Sequence, residues 1–255
     1  MPTTVYVFRH GESASNSEKD RVLLFPTFVK EIRSTLGQKA ALSFTALVDR
    51  CRGKRLYSAK SEHEVKLTSL GEEQSYHSGV ALADKGIHPD LILCSPLQRA
   101  QKTAEKMCEG YKDKTGNMVE ITTLDFLTER DVGDIFGIPI SYLPILYPES
   151  SQAFKALGTY QFRAPNGESI IDVREKLKNL LPDELGCYEG TVLVIAHKIV
   201  NVAIKSILSG TPIEKTPVRS PNLGVSKYNG VKGGWSADPV FDGSASLDKM
   251  ISLTY

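Results

Sequence analysis

The sequence predicts an α/β fold of three layers, in which a mostly parallel central sheet is flanked by helices. Strand-like apolar runs alternate with helix starts, and a chain of 255 residues with 41% hydrophobic content supplies one sizeable core. The runs that predict strands are Thr4–Phe8, Leu91–Cys94, Glu120–Thr123 and Thr191–Ala196. No internal repeat or long low-complexity linker marks a second domain, so we expect residues 1–255 to form a single domain.

Capping residues and apolar spacing predict four helices. We expect them over about 69–83, over 95–108, from 169 onward, and over 199–208. The clearest start is Ser95, which can serve as the N-cap because Pro96 suits the first helical position and Gln98 completes a capping box. Asn222–Tyr228 alternates enough to predict a last strand, whereas the glycine-rich tail over 230–246 is expected to be a loop.

Residues 17–66 interrupt this alternation, and we interpret them as a cap inserted into the domain, since a structureless connection of that length is unusual. The net charge of the chain is +1, yet residues 18–60 hold ten Lys and Arg against four Asp and Glu. The cations of this cap could attract a second anionic group of a substrate, with Arg21 as a contact and Lys198 facing it from the other side. A solvated, partly helical surface is the commoner explanation.

Residues that can take part in catalysis or ligand binding follow three of the predicted strands. Arg9 and His10 end the first strand, where Gly11 lets the backbone turn sharply. Ser95 follows the second strand, just before Arg99, and His197 follows Thr191–Ala196. Because ligands bind at the carboxyl ends of parallel strands, these side chains are expected to converge on one site.

The residue types suit the transfer of a phosphoryl group. The planar forks of Arg9 and Arg99 can each donate two hydrogen bonds to phosphate oxygens and stabilise the charge of the transition state. A neutral imidazole can attack phosphorus directly, which makes His10 the candidate nucleophile. His197 can donate a hydrogen bond to the transferring oxygens.

Five short motifs occur in order along the chain. They are Arg9-His10-Gly11-Glu12, Ser95-Pro96-Leu97-Gln98-Arg99-Ala100 with Gln101-Lys102-Thr103-Ala104, Leu127-Thr128-Glu129-Arg130 with Gly133 and Gly137, Gly167-Glu168-Ser169, and Ala196-His197. These motifs and their order resemble those of the histidine phosphatase superfamily, the phosphoglycerate mutase-like family. The resemblance covers residues 4–16 and 68–228. It implies a phosphoglycerate mutase-like fold and an enzyme of the histidine acid phosphatase type.

The resemblance also implies the roles of individual residues. By it His10 is phosphorylated, Arg9, Arg99 and His197 hold the phosphate, and Glu129 protonates the leaving oxygen.

Ser13 and Asn16 are implied as neutral phosphate or substrate contacts. From the residues alone, Glu129 could equally be a solvated carboxylate, and Asp131 and Asp134 are its nearest rivals as the acid.

The chain departs from the family pattern after the second histidine. Lys198 stands where most members have glycine, and Val202 stands where they have a basic residue. This departure concerns the substrate pocket rather than the grip on the phosphate.

We therefore expect a phosphomonoester hydrolase that acts on a small phosphate ester through a phosphohistidine. A phosphoglycerate mutase-type phosphoryl transfer and a catalytically degenerate binding protein on the same fold are the alternatives. No metal or other cofactor is expected, because His63, His77 and His88 show no ligand spacing and two arginines with two histidines supply the positive charge.

The N-terminus enters a strand-like run without a signal sequence, and no long apolar stretch occurs. A cytoplasmic, soluble protein is expected, with neither nucleic acid nor a membrane as partner, and a homodimer stays open.

Overall fold

Six strands form one mixed sheet in the computed structural model, which describes residues 4–16, 62–136 and 143–246. The strands are β1 (Thr4–Arg9), β2 (Leu91–Cys94), β3 (Glu120–Thr123), β4 (Thr191–Ala196), β5 (Gly224–Val231) and β6 (Gly234–Ser246). Their order across the sheet is β3-β2-β4-β1-β5-β6. The first four are mutually parallel, and β5 and β6 extend the β1 edge as antiparallel strands. The prediction of a mostly parallel sheet is confirmed.

Helices pack on both faces of this sheet. They are α1 (Ser69–Asp84), α2 (Gln98–Thr115), α3 (Leu143–Leu146), α4 (Pro148–Gln161), α5 (Ile170–Gly186) and α6 (Lys198–Ser209). Short 3-10 turns lie at Glu62–Glu64, Asp125–Leu127, Gly133–Ile135 and Ile213–Lys215. Among the described residues, no helix is both long and apolar enough to cross a membrane.

Alternation along the central strands divides the core between two faces of the sheet. On β1, Val5 and Val7 face the α5 and α6 side, whereas Tyr6 and Phe8 face the α1 and α2 side. Each face buries one apolar side of two helices, which produces the three predicted layers.

Two helix starts show opposite outcomes for the sequence prediction. Ser169 caps α5 in a reciprocal box with Asp172, as residue types at these positions favour. The expectation that Ser95 caps α2 is wrong: the N-cap position is Leu97, without a side-chain cap, and the helix continues to Thr115 rather than Cys108. The Ser95 hydroxyl has a partner elsewhere, described below.

The expectation of a loop over residues 230–246 is also wrong. After a turn at Lys232 and Gly233, the chain returns as β6 and pairs antiparallel with β5 from Val231 and Gly234 onward. Register shifts interrupt the pairing near Ser226. Irregular pairing of this kind breaks the two-residue alternation that reveals a strand in a sequence.

The loop after β1 is packed tightly against the start of α1. A Cβ atom on Gly11 would lie 2.6 Å from the carbonyl oxygen of Gly71, so glycine is required here by close approach and not by a left-handed turn. Ser13 forms an antiparallel bridge with Leu67, which brings the chain back beside this loop. The predicted cap, 17–66, lies outside the described residues except for 62–66.

Candidate active site

The carboxyl ends of three adjacent strands, β1, β4 and β2, carry the candidate residues. The backbone N–H of His10 donates to the carbonyl of Ala196 at 3.0 Å, and the N–H of Ser95 donates to the carbonyl of Ile195 at 3.1 Å. These bonds extend the sheet by one residue at each strand end. Consequently His10, Ser95 and His197 meet at one edge, as the sequence predicts.

His10 is held with one ring nitrogen in a hydrogen bond. Its Nδ1 lies 2.7 Å from the carbonyl oxygen of Gly11. A carbonyl can only accept, so Nδ1 carries the proton and Nε2 of the neutral ring has a lone pair. The side chain is only 3% exposed. Burial, followed by the positive charges of Arg99 and Arg9, holds the pKa of His10 well below its ordinary value.

His197 lies beside His10, with the ring centroids 5.1 Å apart and the planes tilted by 54°. It occupies the N-cap position of α6 and is fully buried. Its Nε2 lies 2.7 Å from Ser95 Oγ, whereas its buried Nδ1 has no hydrogen-bond partner. Burial, and then the charge of Arg99, lowers the pKa of His197 well below its ordinary value.

Arg9 and Arg99 bring their charges to the same two histidines. Arg9 ends β1, and its Nη1 donates to the carbonyl of Ser220 at 2.6 Å. Arg99 is the second residue of α2 and is 3% exposed. Both guanidinium groups lie close enough to the two imidazoles to lower the pKa of His10 and of His197. The four residues predicted from the strand ends therefore form one cluster.

Glu129 approaches this cluster from the start of α6. Both of its carboxylate oxygens lie 3.3 Å from the backbone N–H of Ile199, and Oε1 also accepts from the N–H of Arg130 at 2.9 Å. A helix N-terminus presents N–H groups that suit a carboxylate. Glu129 is therefore held at the backbone of Ile199, which lies two residues after His197 along the chain.

The rival carboxylates of Glu129 bond to residues of the loops that precede α3 and α5. Asp131 accepts from the N–H of Gly133 at 2.7 Å, and both oxygens of Asp134 accept from the side-chain amide of Asn166 at 3.2 Å. Glu168 accepts from the N–H of Asp131, so it fixes the same loop. Glu129 is the member of this group that bonds to the start of α6, the helix that follows His197.

Arg130, which follows Glu129 in the third motif, is a half-buried cation for which the sequence predicts no role. Burial lowers the pKa of its guanidinium, while Glu129 and Glu168 act in the opposite direction.

The remaining predicted contacts are placed less directly. The Ser13 hydroxyl donates to Oδ1 of Asn16 at 2.9 Å, which closes the loop after β1. Lys198 is half-buried as the first residue of α6, next to His197. Arg21 lies outside the described residues.

The described part of the chain contains no cluster of three or more metal-ligating side chains. His63, His77 and His88 are exposed and lie away from β1 and β4 in the sequence. The arrangement of two arginines around two neutral imidazoles instead suits a bound oxyanion: the arginines supply charge, and the unpartnered Nδ1 of His197 supplies a site for one more hydrogen bond.

One polar contact of the site escapes local sequence patterns. The backbone N–H of Gly11 donates to Oγ1 of Thr103 at 3.0 Å, which joins the His10 loop to α2. Thr103 belongs to the second motif, one helical turn after Arg99, but nothing local indicates its bond to Gly11, 92 positions away.

Comparisons with known proteins identify the family of the chain. The family model of the histidine phosphatase superfamily (branch 1) matches residues 52–242, about three quarters of the chain. The match begins at residue 52, within the predicted cap, so it leaves out Arg9 and His10, which the fold nevertheless places beside Arg99 and His197.

Individual relatives include phosphatases and mutases. The chain is 26% identical over 190 residues to a protein named uncharacterized phosphatase PhoE from Bacillus subtilis (strain 168), covering 74% of this chain and 84% of that one. It is 35% identical over 137 residues to the 2,3-bisphosphoglycerate-dependent phosphoglycerate mutase of Rhizobium meliloti (strain 1021), covering 51% of this chain and 62% of the mutase.

Among solved structures, the alpha-ribazole phosphatase from Shigella flexneri superposes with a TM-score of 0.66 at 20% identity, covering 95% of this chain and 98% of that one. At this identity the superposition establishes the fold, and the family model establishes the ancestry. The chain belongs to the histidine phosphatase superfamily, branch 1.

Proposed function

We propose that this protein hydrolyses small phosphate monoesters through a phosphohistidine on His10. The observation that carries the proposal is the orientation of the imidazole. Its Nδ1–H donates to the Gly11 carbonyl at 2.7 Å, so the lone pair on Nε2 is the nucleophile. Burial and the neighbouring arginines keep the pKa of His10 low, and the ring therefore stays neutral at ordinary pH.

The reaction proceeds in two steps. In the first, Nε2 of His10 attacks phosphorus, the bond from phosphorus to the ester oxygen breaks, and protonated Glu129 gives its proton to the leaving oxygen. In the second, water attacks the phosphohistidine, the phosphorus–nitrogen bond breaks, and the proton of the water passes to the Glu129 carboxylate. Inorganic phosphate leaves and the starting state returns.

Charge on the transferring group is stabilised by donors that surround His10. Arg9 and Arg99 supply the bidentate, permanently charged contacts, and Nδ1–H of His197 supplies a further one. Ser13 and Asn16 act together as the neutral contact: because the Ser13 hydroxyl donates to Oδ1 of Asn16, the amide N–H groups of Asn16 are left to donate to an anion.

A metal ion is not part of this proposal, since these cations meet the charge demand of phosphoryl transfer. Excess chelator should leave the rate unchanged, whereas inhibition that added metal reverses would contradict the proposal.

Phosphoglycerate mutase-type transfer is the second candidate, favoured by the 35% identity to a mutase over half of the chain. The two functions differ in the fate of the phosphohistidine, which a mutase returns to a substrate before water reaches it. Lys198, half-buried at the start of α6, and Arg21 are proposed contacts for a second anionic group of the substrate in either case.

A panel of phosphate esters tests the proposal directly. It contains phosphoglycerates, sugar phosphates, nucleotides and an activated aryl phosphate, with free phosphate and isomerised product measured separately. Release of phosphate supports hydrolysis, and isomerisation without release supports the mutase. Absence of turnover on every ester would contradict both and leave the degenerate binding protein.

A further inference from the structure

Thr103 connects the loop that carries His10 to the helix that carries Arg99. Its Oγ1 accepts the backbone N–H of Gly11 at 3.0 Å and donates to the carbonyl oxygen of Arg99 at 2.7 Å. Gly11, Arg99 and Thr103 are all buried, and Thr103 is fully so. Water therefore does not replace either bond when the hydroxyl is removed.

Gly11 links the Thr103 hydroxyl to the imidazole of His10 through its two backbone polar groups. Its N–H is held by Thr103, and its carbonyl oxygen accepts the Nδ1–H of His10 at 2.7 Å. On the other side, the carbonyl of Gly71 and the hydroxyl of Ser75 are so near that even a Cβ on Gly11 would lie 2.6–2.7 Å from them. Gly11 is thus confined by packing on one side and by a hydrogen bond on the other.

We propose that Thr103 is a positioning residue that fixes the tautomer and the orientation of His10. It acts through Gly11: with the Gly11 N–H anchored, the adjoining carbonyl stays directed at Nδ1, and Nε2 remains the bare nitrogen. The same hydroxyl ties the nucleophile loop to the first turn of α2, so the distance between His10 and Arg99 is set by one side chain. The inference rests on the proposed function for its kinetic part only.

The Thr103 hydroxyl could instead serve only to stabilise α2, and Thr115 in the same helix provides the control for that role. Thr115, at the far end of α2, also donates to the carbonyl four residues earlier, that of Tyr111, at 2.9 Å, and also accepts a backbone N–H, that of Asn117, at 3.1 Å. Thr115 therefore makes the same two kinds of bond without contact to the site. Its valine variant reports what loss of such a pair costs the helix alone.

The test compares Thr103→Val, Thr103→Ser and Thr115→Val. Nitrogen-15 NMR of the histidine rings shows which nitrogen of His10 is protonated, and steady-state kinetics on an activated aryl phosphate give kcat and KM. Thr103→Val should give mixed tautomers of His10 and lower kcat by about 10- to 100-fold, with KM changed less, because the lost interaction serves the reacting geometry. Thr103→Ser should restore both, and Thr115→Val should leave both as in the parent.

A native tautomer together with native kcat in folded Thr103→Val overturns the proposal. If that variant does not fold, Thr103→Cys keeps the side-chain volume with a weakly bonding thiol, and native behaviour there overturns it equally. The NMR readout does not depend on turnover. A protein that is silent on every ester, but whose His10 tautomer responds to Thr103→Val, would retain the positioning role and lose the proposed hydrolysis.

Discussion

The Ser95 hydroxyl oxygen lies 2.7 Å from Nε2 of His197 at the adjacent ends of β2 and β4. The same hydroxyl accepts the N–H of Leu97 at 3.3 Å, so its own hydrogen is available to Nε2. With Nε2 accepting, the proton of the neutral His197 ring belongs on Nδ1, the nitrogen that is buried without a partner. The hydrogen bond between Ser95 and His197 therefore leaves the Nδ1–H of His197 to donate to an oxyanion.

Ser95→Ala should lower kcat/KM by about tenfold, equivalent to the ~1–1.5 kcal/mol of one buried hydrogen bond, because His197 can then adopt the tautomer that lacks the Nδ1 proton. Steady-state kinetics on an aryl phosphate measure the change. Ser78→Ala is the matched control, since Ser78 is equally buried and bonds only the Gln74 carbonyl of its own helix. Equal losses in both variants would remove the special role of Ser95.

Arg99→Ala should raise the activation barrier by about 2–4 kcal/mol, the range for one lost charge-stabilising donor in a site that excludes water. Arg99→Lys should recover only part of the loss, because an ammonium group lacks the planar fork for two phosphate oxygens. The measurement is kcat/KM on one ester for all three proteins. A lysine variant at full parental activity would show that only the charge of this residue matters.

Glu129→Gln should slow esters with poor leaving groups far more than activated aryl esters, whose leaving oxygen needs little protonation. The Glu129 carboxylate lies at the N-terminus of α6 beside His197, which is the place for a proton donor to the ester oxygen. Asp131→Asn and Asp134→Asn are the controls. The assignment fails if Glu129→Gln affects both kinds of ester equally, or if a control variant shows the selective loss instead.

Acid should destabilise this fold through its two buried histidines. The folded pKa values of His10 and His197 are lowered, so below about pH 6.5 the unfolded chain binds protons that the folded chain does not. The free energy of unfolding therefore has its full histidine contribution above that pH. It decreases as the pH falls toward the folded pKa values, by up to ~1.4 kcal/mol per pH unit for each histidine.

Urea unfolding between pH 7.5 and 5 measures this slope. His197→Gln should reduce the slope of the unfolding free energy against pH by the contribution of one histidine. An identical slope in parent and variant would show that His197 titrates alike in both states.

The parts of the fold that follow from local patterns were predictable. The apolar runs mark β1 to β4 with bounds that agree to within a residue, and the ends of these strands locate His10 and His197. The tail that forms β6 was not predictable, because its glycines and register shifts remove the alternation. The helices over 143–161 lacked a clear signal as well: α4 buries few side chains and contains a non-helical residue at Gly158.

The site also has a part that local sequence patterns predict and a part that they do not. Residue types at strand ends identify Arg9, His10, Arg99 and His197. The contacts that orient them join residues far apart in sequence: 102 positions separate Ser95 from His197, and 92 separate Gly11 from Thr103. Ser95 therefore looked like a helix cap, since the local pattern allows that bond and nothing local reveals the competing histidine.

The central claim is that the phosphoryl group passes through His10, and trapping the phosphoenzyme tests it most directly. The protein is mixed with a phosphorus-32 ester, quenched in denaturant, and the labelled peptide is mapped by mass spectrometry. We expect a label on His10 that is lost in acid and stable in alkali, as a phosphoramidate behaves, and no label or turnover in His10→Ala. A label that survives acid, a label on another residue, or full turnover by His10→Ala would contradict it.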